Sequence, residues 1–176
     1  NHTDIAVNPN DSWDVWVTVS GYTAGDKVWY SYDKGDNWTN ISGSLPNTPV
    51  NCIVVDPDRT DHSVYIGTDV GVFYKDDNLS DWVPFFHGLP NTVVEDLEIE
   101  NSQVVAGTHG RGIWRSNLYG NCFTTLTLGP IGNPTWSSSY SNLPLYYAAS
   151  DWIKSERTIH SSIGDSVRYQ GGNYVE

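Results

Sequence analysis

Four residues at fixed spacing form the most conspicuous candidate for chemistry in this sequence: Ser31, Asp33, Gly35 and Trp38. The carboxylate of Asp33 could act in catalysis or bind a metal ion. It could also accept hydrogen bonds from the backbone NH groups of the turn that it opens, and Gly35 supplies the positive φ that such a turn needs. The indole of Trp38 can fold back and cover that turn. We therefore expect a structural role for these residues.

A second group of carboxylates, Asp56, Asp58 and Asp61, surrounds Pro57. Several oxygens in one turn could coordinate calcium. However, the order lacks the loop glycine and the terminal glutamate of an EF-hand. An Asn-Pro step also stands 48 positions earlier. We therefore expect a turn here, and no metal site.

Four more carboxylates, Glu95, Asp96, Glu98 and Glu100, lie close together further along the chain. Two carboxylates on either side of a glycosidic bond can hydrolyse it. The spacing does not indicate which two would converge on a substrate. We expect no catalytic residue within this chain.

The stretch from His109 to Gly112 is the main polar cluster outside these acidic groups. Two glycines around Arg111 predict a tight hairpin that exposes its side chains. A guanidinium there could bind a carboxylate or sugar hydroxyls through two hydrogen bonds. We name His109 and Arg111 as candidate ligand-face residues, and the alternative is a structural role for the turn.

The two cysteines, Cys52 and Cys122, permit one disulfide, which would suit a secreted protein. The alternative is two unpaired thiols, because 70 positions separate them. Neither cysteine lies beside a histidine and aspartate pattern, so we expect no cysteine nucleophile.

The elements that must position these residues recur along the chain. The segment 5–9 returns at 53–57 and more loosely at 97–101, and Trp38 returns as Trp82. Strand-like segments rich in Val, Ile, Trp and Tyr alternate with Gly, Pro, Asn and Asp clusters, which predicts an all-β fold. A repeat of roughly 40 to 49 residues is typical of a four-stranded propeller blade.

The Ser-x-Asp-x-Gly-x-x-Trp pattern at 31–38 resembles the Asp-box, or bacterial neuraminidase repeat. This motif lies on the turn between the third and fourth strands of β-propeller blades in sialidases, sortilin-type receptors and xyloglucanase-type hydrolases. The resemblance implies that the box is structural and lies away from the ligand face. A second, degenerate box keeps Asp76 and Trp82 but has lost the Ser and Gly positions.

The number of strand-like segments differs between the repeats. Residues 4–46 and 50–90 each supply four, whereas 94–117 supplies three. In propellers that resemble this chain, the last blade often borrows a strand to close the ring. We therefore interpret residues 1–117 as two full blades and a three-stranded closing blade, the C-terminal part of a larger propeller whose earlier blades lie upstream.

The composition changes near residue 118, which indicates a linker over 118–134 and a small β-stack over 135–176. The stack segment resembles the three-coathanger stack of secreted Bacteroidetes proteins. In that family it commonly precedes the signal for type IX secretion, so the resemblance implies truncation here. Trp136 and Trp152 lie outside the repeats and are candidates for exposed, carbohydrate-contacting aromatics.

The formal net charge of −12 argues against nucleic acid and anionic membranes as partners. No apolar run approaches the ~20 residues of a membrane-spanning helix, so we expect no membrane insertion.

These observations predict an all-β chain, a partial β-propeller followed by a small C-terminal β-stack, at an extracellular or cell-surface location. The expected function is binding, adhesion or scaffolding within a larger bacterial protein, with a glycan or a protein as ligand and no cofactor. The first alternative is the C-terminal part of a propeller glycoside hydrolase with its catalytic blades upstream. The second is a structural filament or surface-layer subunit.

Overall fold

The computed structural model describes residues 1–120, 152–154, 168–170 and 173–175, and these residues form strands, turns and loops. The prediction of an all-β fold is therefore confirmed. No helix long and apolar enough to cross a membrane occurs in this described part of the chain. The strands are β1 (His2–Val7), β2 (Val15–Val19), β3 (Val28–Ser31), β4 (Thr39–Asn40), β5 (Val50–Val55), β6 (Val64–Thr68), β7 (Gly71–Lys75), β8 (Val83–Pro84), β9 (Val94–Glu100), β10 (Gln103–Thr108), β11 (Gly112–Asn117), β12 (Ile153–Lys154), β13 (Arg168–Gln170) and β14 (Asn173–Val175).

The strands pair in chain order to form three four-stranded antiparallel sheets. Sheet 1 has the order β1-β2-β3-β4, sheet 2 has β5-β6-β7-β8, and sheet 3 has β9-β10-β11-β12; β13 and β14 form a separate pair. Because the strands alternate in direction, the turns between first and second strands and between third and fourth strands lie at one end of each sheet. We call this the box end, since it carries Asp33 and Asp76. The turns between second and third strands lie at the opposite end, which we call the loop end.

Sheet 3 corrects our prediction of a three-stranded unit. Its fourth strand is β12, which pairs antiparallel with β11 and places Lys154 opposite Trp114. The prediction was wrong because this strand is only two residues long and lies far downstream of β11. The missing fourth strand was the reason to interpret this unit as a closing blade, and that reason no longer holds. Of the predicted linker and stack, the structure describes 118–120, 152–154, 168–170 and 173–175, and the other residues lie outside the described part of the chain.

The three sheets share one hydrogen-bonding register, including an irregularity at the same place. In each, the first strand shifts register against the second near the loop end, where one extra residue forms a bulge. Beyond the bulge, Ile5, Ile53 and Leu97 are paired with Val17, Ile66 and Ala106 respectively. The third strands continue these rows with Trp29, Phe73 and Trp114. The sheets are therefore three copies of one structural unit.

Neighbouring sheets pack face to face, with β5 in contact with both β1 and β9. Successive side chains of a strand point to opposite faces, so Trp16 of sheet 1 faces sheet 2 while Val17 faces away. Val28 and Ile66 are fully buried at the first interface. Each contributes about 1.5–3 kcal/mol relative to an exposed side chain. The second interface is built around Tyr65, Tyr74, Phe85, Leu97 and Ala106.

Candidate functional site

Asp33 is held by the turn that it opens at the box end of sheet 1. Its Oδ1 accepts hydrogen bonds from the Ser31 hydroxyl at 2.7 Å and the Asn37 backbone NH at 2.8 Å, and its Oδ2 accepts one from Asn37 Nδ2 at 2.7 Å. The Asn37 amide, the Asn37 backbone NH and the Ser31 hydroxyl lower the pKa of Asp33. Gly35 has a φ of 97°, and a Cβ there would lie 3.3 Å from Trp38 Cζ2, so the indole covers the turn. The carboxylate oxygens are thus occupied within the turn.

Asp76 holds the corresponding turn of sheet 2 without the missing serine and glycine. Its Oδ1 accepts hydrogen bonds from the backbone NH groups of Asn78 and Leu79 at 2.9 and 3.0 Å. Its Oδ2 accepts the Tyr74 hydroxyl at 2.8 Å and lies 3.6 Å from Arg59 Nη2. Two backbone hydrogen bonds and a buried tyrosine therefore replace the lost box positions.

A tryptophan immediately before the fourth strand of a sheet joins it to the preceding sheet. Trp82 Nε1 donates to the Ile41 carbonyl at 2.7 Å, and Trp152 Nε1 donates to the Phe85 carbonyl at 2.7 Å. Both indoles are buried, and both acceptors directly follow the fourth strand of the preceding sheet. Our hypothesis that Trp152 is an exposed, carbohydrate-contacting aromatic is therefore wrong, because Trp152 fills a repeat position. Trp136 lies outside the described residues.

A polar side chain on the first strand joins each of the first two sheets to the sheet that follows. Thr3 Oγ1 donates to the Val50 carbonyl at 2.6 Å, and Asn51 Nδ2 donates to the Val94 carbonyl at 3.1 Å. Both acceptors stand at the same position, the first residue of the following sheet. Each of the two interfaces therefore contains one hydrogen bond of this kind and one from an indole.

Within the described part of the chain nothing covers the face of sheet 1 that points away from sheet 2, and we call it the open face. It bears a depression of ≈ 780 Å³, whose lining includes Ile5, Val17, Trp29 and Trp38. Ile5 is 63% exposed and Trp38 is 39% exposed. The sequence did not indicate this site, although its residues align with covered counterparts in sheets 2 and 3. Its large apolar lining suits contact with another apolar surface.

The predicted ligand-face residues lie on the β10–β11 turn at the loop end of sheet 3. His109 and Arg111 are both exposed. His109 Nδ1 lies 2.8 Å from Glu95 Oε1, while the Arg111 carbonyl accepts a hydrogen bond from Trp114 Nε1 at 3.1 Å. The backbone of the turn is thereby fixed, and the Arg111 guanidinium has no ion pair among the described residues.

His62 connects sheets 1 and 2 at the box end. Its Nε2 lies 3.1 Å from Asp14 Oδ2 in sheet 1, and its Nδ1 lies 2.8 Å from Asp77 Oδ2 in sheet 2. Burial alone would lower the pKa of His62, but the hydrogen bond and charge of Asp77, together with Asp14, raise it overall. The imidazole also stacks at an angle on the rings of Trp16 and Tyr30.

The acidic turn at 56–61 contains its own cation. The Arg59 guanidinium forms an ion pair with Asp61 and lowers the pKa of that carboxyl to about 2. Asp56 is 1% exposed, and burial raises its pKa; its Oδ2 has no hydrogen-bond partner among the described residues. Within the described residues, no group of three or more His, Cys, Asp or Glu side chains is arranged to hold a metal ion.

Cys52 packs between sheets 2 and 3 and forms no disulfide among the described residues. Burial raises the pKa of its thiol to about 12, so it stays protonated and unreactive at neutral pH. Its candidate disulfide partner, Cys122, lies outside the described residues.

The chain matches no protein-family model, and a search of curated proteins finds no match either.

Proposed function

We propose that this chain is a non-catalytic binding or scaffolding region of a larger secreted or cell-surface bacterial protein. In this proposal the three sheets are blades of an Asp-box β-propeller. Support comes from their four-stranded antiparallel order, from first strands that lie side by side, and from the box turn of sheet 1. Such blades provide a rigid platform on which exposed turns can carry specificity.

We place ligand binding at the loop end, and the ligand is a glycan or a protein. The observation that carries this assignment is the exposure of Arg111 and His109 on a turn whose carbonyls accept hydrogen bonds from the side chains of Thr92, Thr108 and Trp114. At the same end of sheet 1, the β2–β3 turn carries Tyr22, which is 72% exposed. A planar guanidinium can bind a carboxylate or sugar hydroxyls in bidentate fashion, and a tyrosine offers a flat apolar surface with a polar tip.

The proposal is tested by binding of the purified chain to arrayed glycans and to extracellular matrix proteins. We expect at least one ligand whose binding falls about tenfold in Arg111→Ala, a loss within the range for a charged hydrogen bond. Arg115→Ala is the matched control, since Arg115 is also exposed but lies on β11 away from the turn. Equal binding by both variants would remove the loop end as the ligand site.

Location outside the cytoplasm rests on the resemblance of the segment 135–176 to type IX secreted proteins. Cell fractionation with an antibody against this chain tests it. Recovery in the medium or on the cell surface is the expected result, and recovery in the cytoplasm would contradict it.

A further inference from the structure

The open face of sheet 1 has counterparts in both other sheets, and these counterparts are covered. The register aligns Ile5 with Ile53, Val17 with Ile66, and Trp29 with Phe73. All three residues of sheet 2 are buried against sheet 1. In sheet 3 the same positions pack against sheet 2. The open face therefore carries the residue types that, elsewhere in this chain, contact the preceding sheet.

The tryptophan that makes the interface hydrogen bond also has a counterpart on the open face. Trp38 directly precedes β4, as Trp82 precedes β8 and Trp152 precedes β12. The indoles of Trp82 and Trp152 donate to a carbonyl of the preceding sheet. Among the described residues the indole NH of Trp38 has no acceptor.

The turn before the second strand also contacts the preceding sheet in sheet 2 and has an exposed counterpart in sheet 1. His62 precedes β6 by two residues and contacts Asp14, Trp16 and Tyr30 of the preceding sheet. Trp13 holds the corresponding position in sheet 1, and it is 54% exposed. Among the described residues no preceding sheet contacts the Trp13 ring, which instead lies 4.3 Å from Lys34 Nζ.

Sheet 3 differs at the other end of the stack. Thr3 and Asn51 donate to the first strand of the following sheet, whereas the aligned residue of sheet 3 is Glu95, which pairs with His109. An ionised carboxylate has no proton to donate to a carbonyl. The outward side chains of β9 add Asp96 and Glu98, both exposed. Among the described residues this surface lacks the donor that the two internal interfaces share, and it surrounds the exposed Ile113 with carboxylates.

We propose that the open face of sheet 1 is the docking site for a further four-stranded antiparallel sheet of the same repeat, supplied by the polypeptide that precedes Asn1. In both internal interfaces the earlier repeat covers the later one, and this order fixes the source. The docked sheet offers Trp38 a carbonyl just after its fourth strand. Its counterpart of Thr3 and Asn51 donates to the His2 carbonyl. A second copy of this chain is a poor occupant, because its other outer surface is the acidic one of sheet 3.

This inference rests on the proposed repeat architecture and is independent of ligand binding at the loop end. A copy of residues 1–48, placed directly before Asn1 of the full chain, reproduces the 48-residue spacing between His2 and Val50. Trp38→Phe within the added copy keeps the two peptides distinct by mass. Hydroxyl-radical labelling with mass spectrometry then compares Trp38 of the original sheet with the buried Trp152. We expect the labelling of Trp38 to fall to the level of Trp152.

Two matched substitutions locate the contact. Ile5→Glu in the original sheet should restore the labelling of Trp38, whereas Ile113→Glu should not, because Ile113 is a similarly exposed isoleucine on β11 of sheet 3. If the added copy of 1–48 does not fold, a copy of 49–92 takes its place before Asn1, since that repeat natively covers sheet 3.

The inference is overturned if neither added repeat protects Trp38. It is also overturned if the unmodified chain forms a dimer, at twice 19.6 kDa by light scattering, in which Trp38 is protected. The occupant would then be a second copy.

Discussion

Sheets 1 and 2 are built from the same unit, yet one face of sheet 1 is open where the same face of sheet 2 is covered. Ile5 is 63% exposed and Ile53 is 6% exposed, while Trp38 and Trp82 are 39% and 5% exposed. The residue types at these positions hardly differ. Exposure is therefore set by the position of a sheet in the stack. Because the counterparts of the open face each contact a preceding sheet, the open face has the residues for the same kind of contact.

The largest expected effect comes from removing the same tryptophan from each sheet. Trp82→Ala leaves a cavity at the interface of sheets 1 and 2, and should cost about 3–5 kcal/mol of unfolding free energy. Trp38→Ala should change the stability of the chain by no more than about 1 kcal/mol, because the indole covers only its own turn. Urea unfolding measures both. Equal losses would show that the two sheets are not packed as described.

Asn51→Asp tests the donor that joins sheet 2 to sheet 3. In the native protein Asn51 Nδ2 donates to Asp69 Oδ1 at 3.0 Å and to the Val94 carbonyl. The carboxylate of the variant would face Asp69 with like charge and has no proton to donate to Val94. We expect a loss of about 1–3 kcal/mol at neutral pH. Asn51→Ser is the control that keeps a neutral donor, and it should lose less. An unchanged stability of Asn51→Asp would show that this hydrogen bond does not stabilise the interface.

His62 gives the covered interface a dependence on pH. Its pKa is raised in the folded state, so its contribution to stability is complete below the ordinary histidine pKa of about 6.5 and is lost as the pH rises through the raised value. Urea unfolding at a series of pH values should show this loss above about pH 6.5. His62→Gln should abolish it. A decline that persists in His62→Gln would assign the effect to another group.

The smallest effect is expected at the turn after the first strand. Asn8 of sheet 1 donates from Nδ2 to Asp14 at 3.3 Å, whereas the aligned Asp56 of sheet 2 has a buried oxygen without a partner. Because burial raises the pKa of Asp56, ionisation above the ordinary carboxyl pKa of about 3.9 costs stability. Asp56→Asn should be neutral or stabilising by up to about 1 kcal/mol at pH 7, and this gain should vanish below about pH 4.

Asp58→Asn is the matched control for this position, since Asp58 is exposed in the same turn. Thermal unfolding at pH 7 and at pH 3.5 compares the two variants. A clear destabilisation by Asp56→Asn at pH 7 would mean that the charged form of Asp56 is the one that the fold requires.

The sequence predicted the strands and the repeat spacing because alternating apolar residues and turn residues are local signals. It did not predict β12 as the fourth strand of sheet 3, since a two-residue strand far from β11 has no local pattern. Its place is shown only by its pairing with β11 and by the hydrogen bond of Trp152. The open face escaped prediction for a different reason. Trp29 and Trp38 match their buried counterparts, and burial depends on a neighbouring sheet that the residues themselves do not contain.

Exchange of the indole NH protons with solvent, followed by NMR on the full chain, tests the repeated interface most directly. The indole protons of Trp82 and Trp152 should exchange slowly, because both indoles are buried and donate to carbonyls of the preceding sheet. The indole proton of Trp38 should exchange rapidly. Slow exchange at Trp38 in the chain alone, or rapid exchange at Trp152, would show that the sheets do not pack as described.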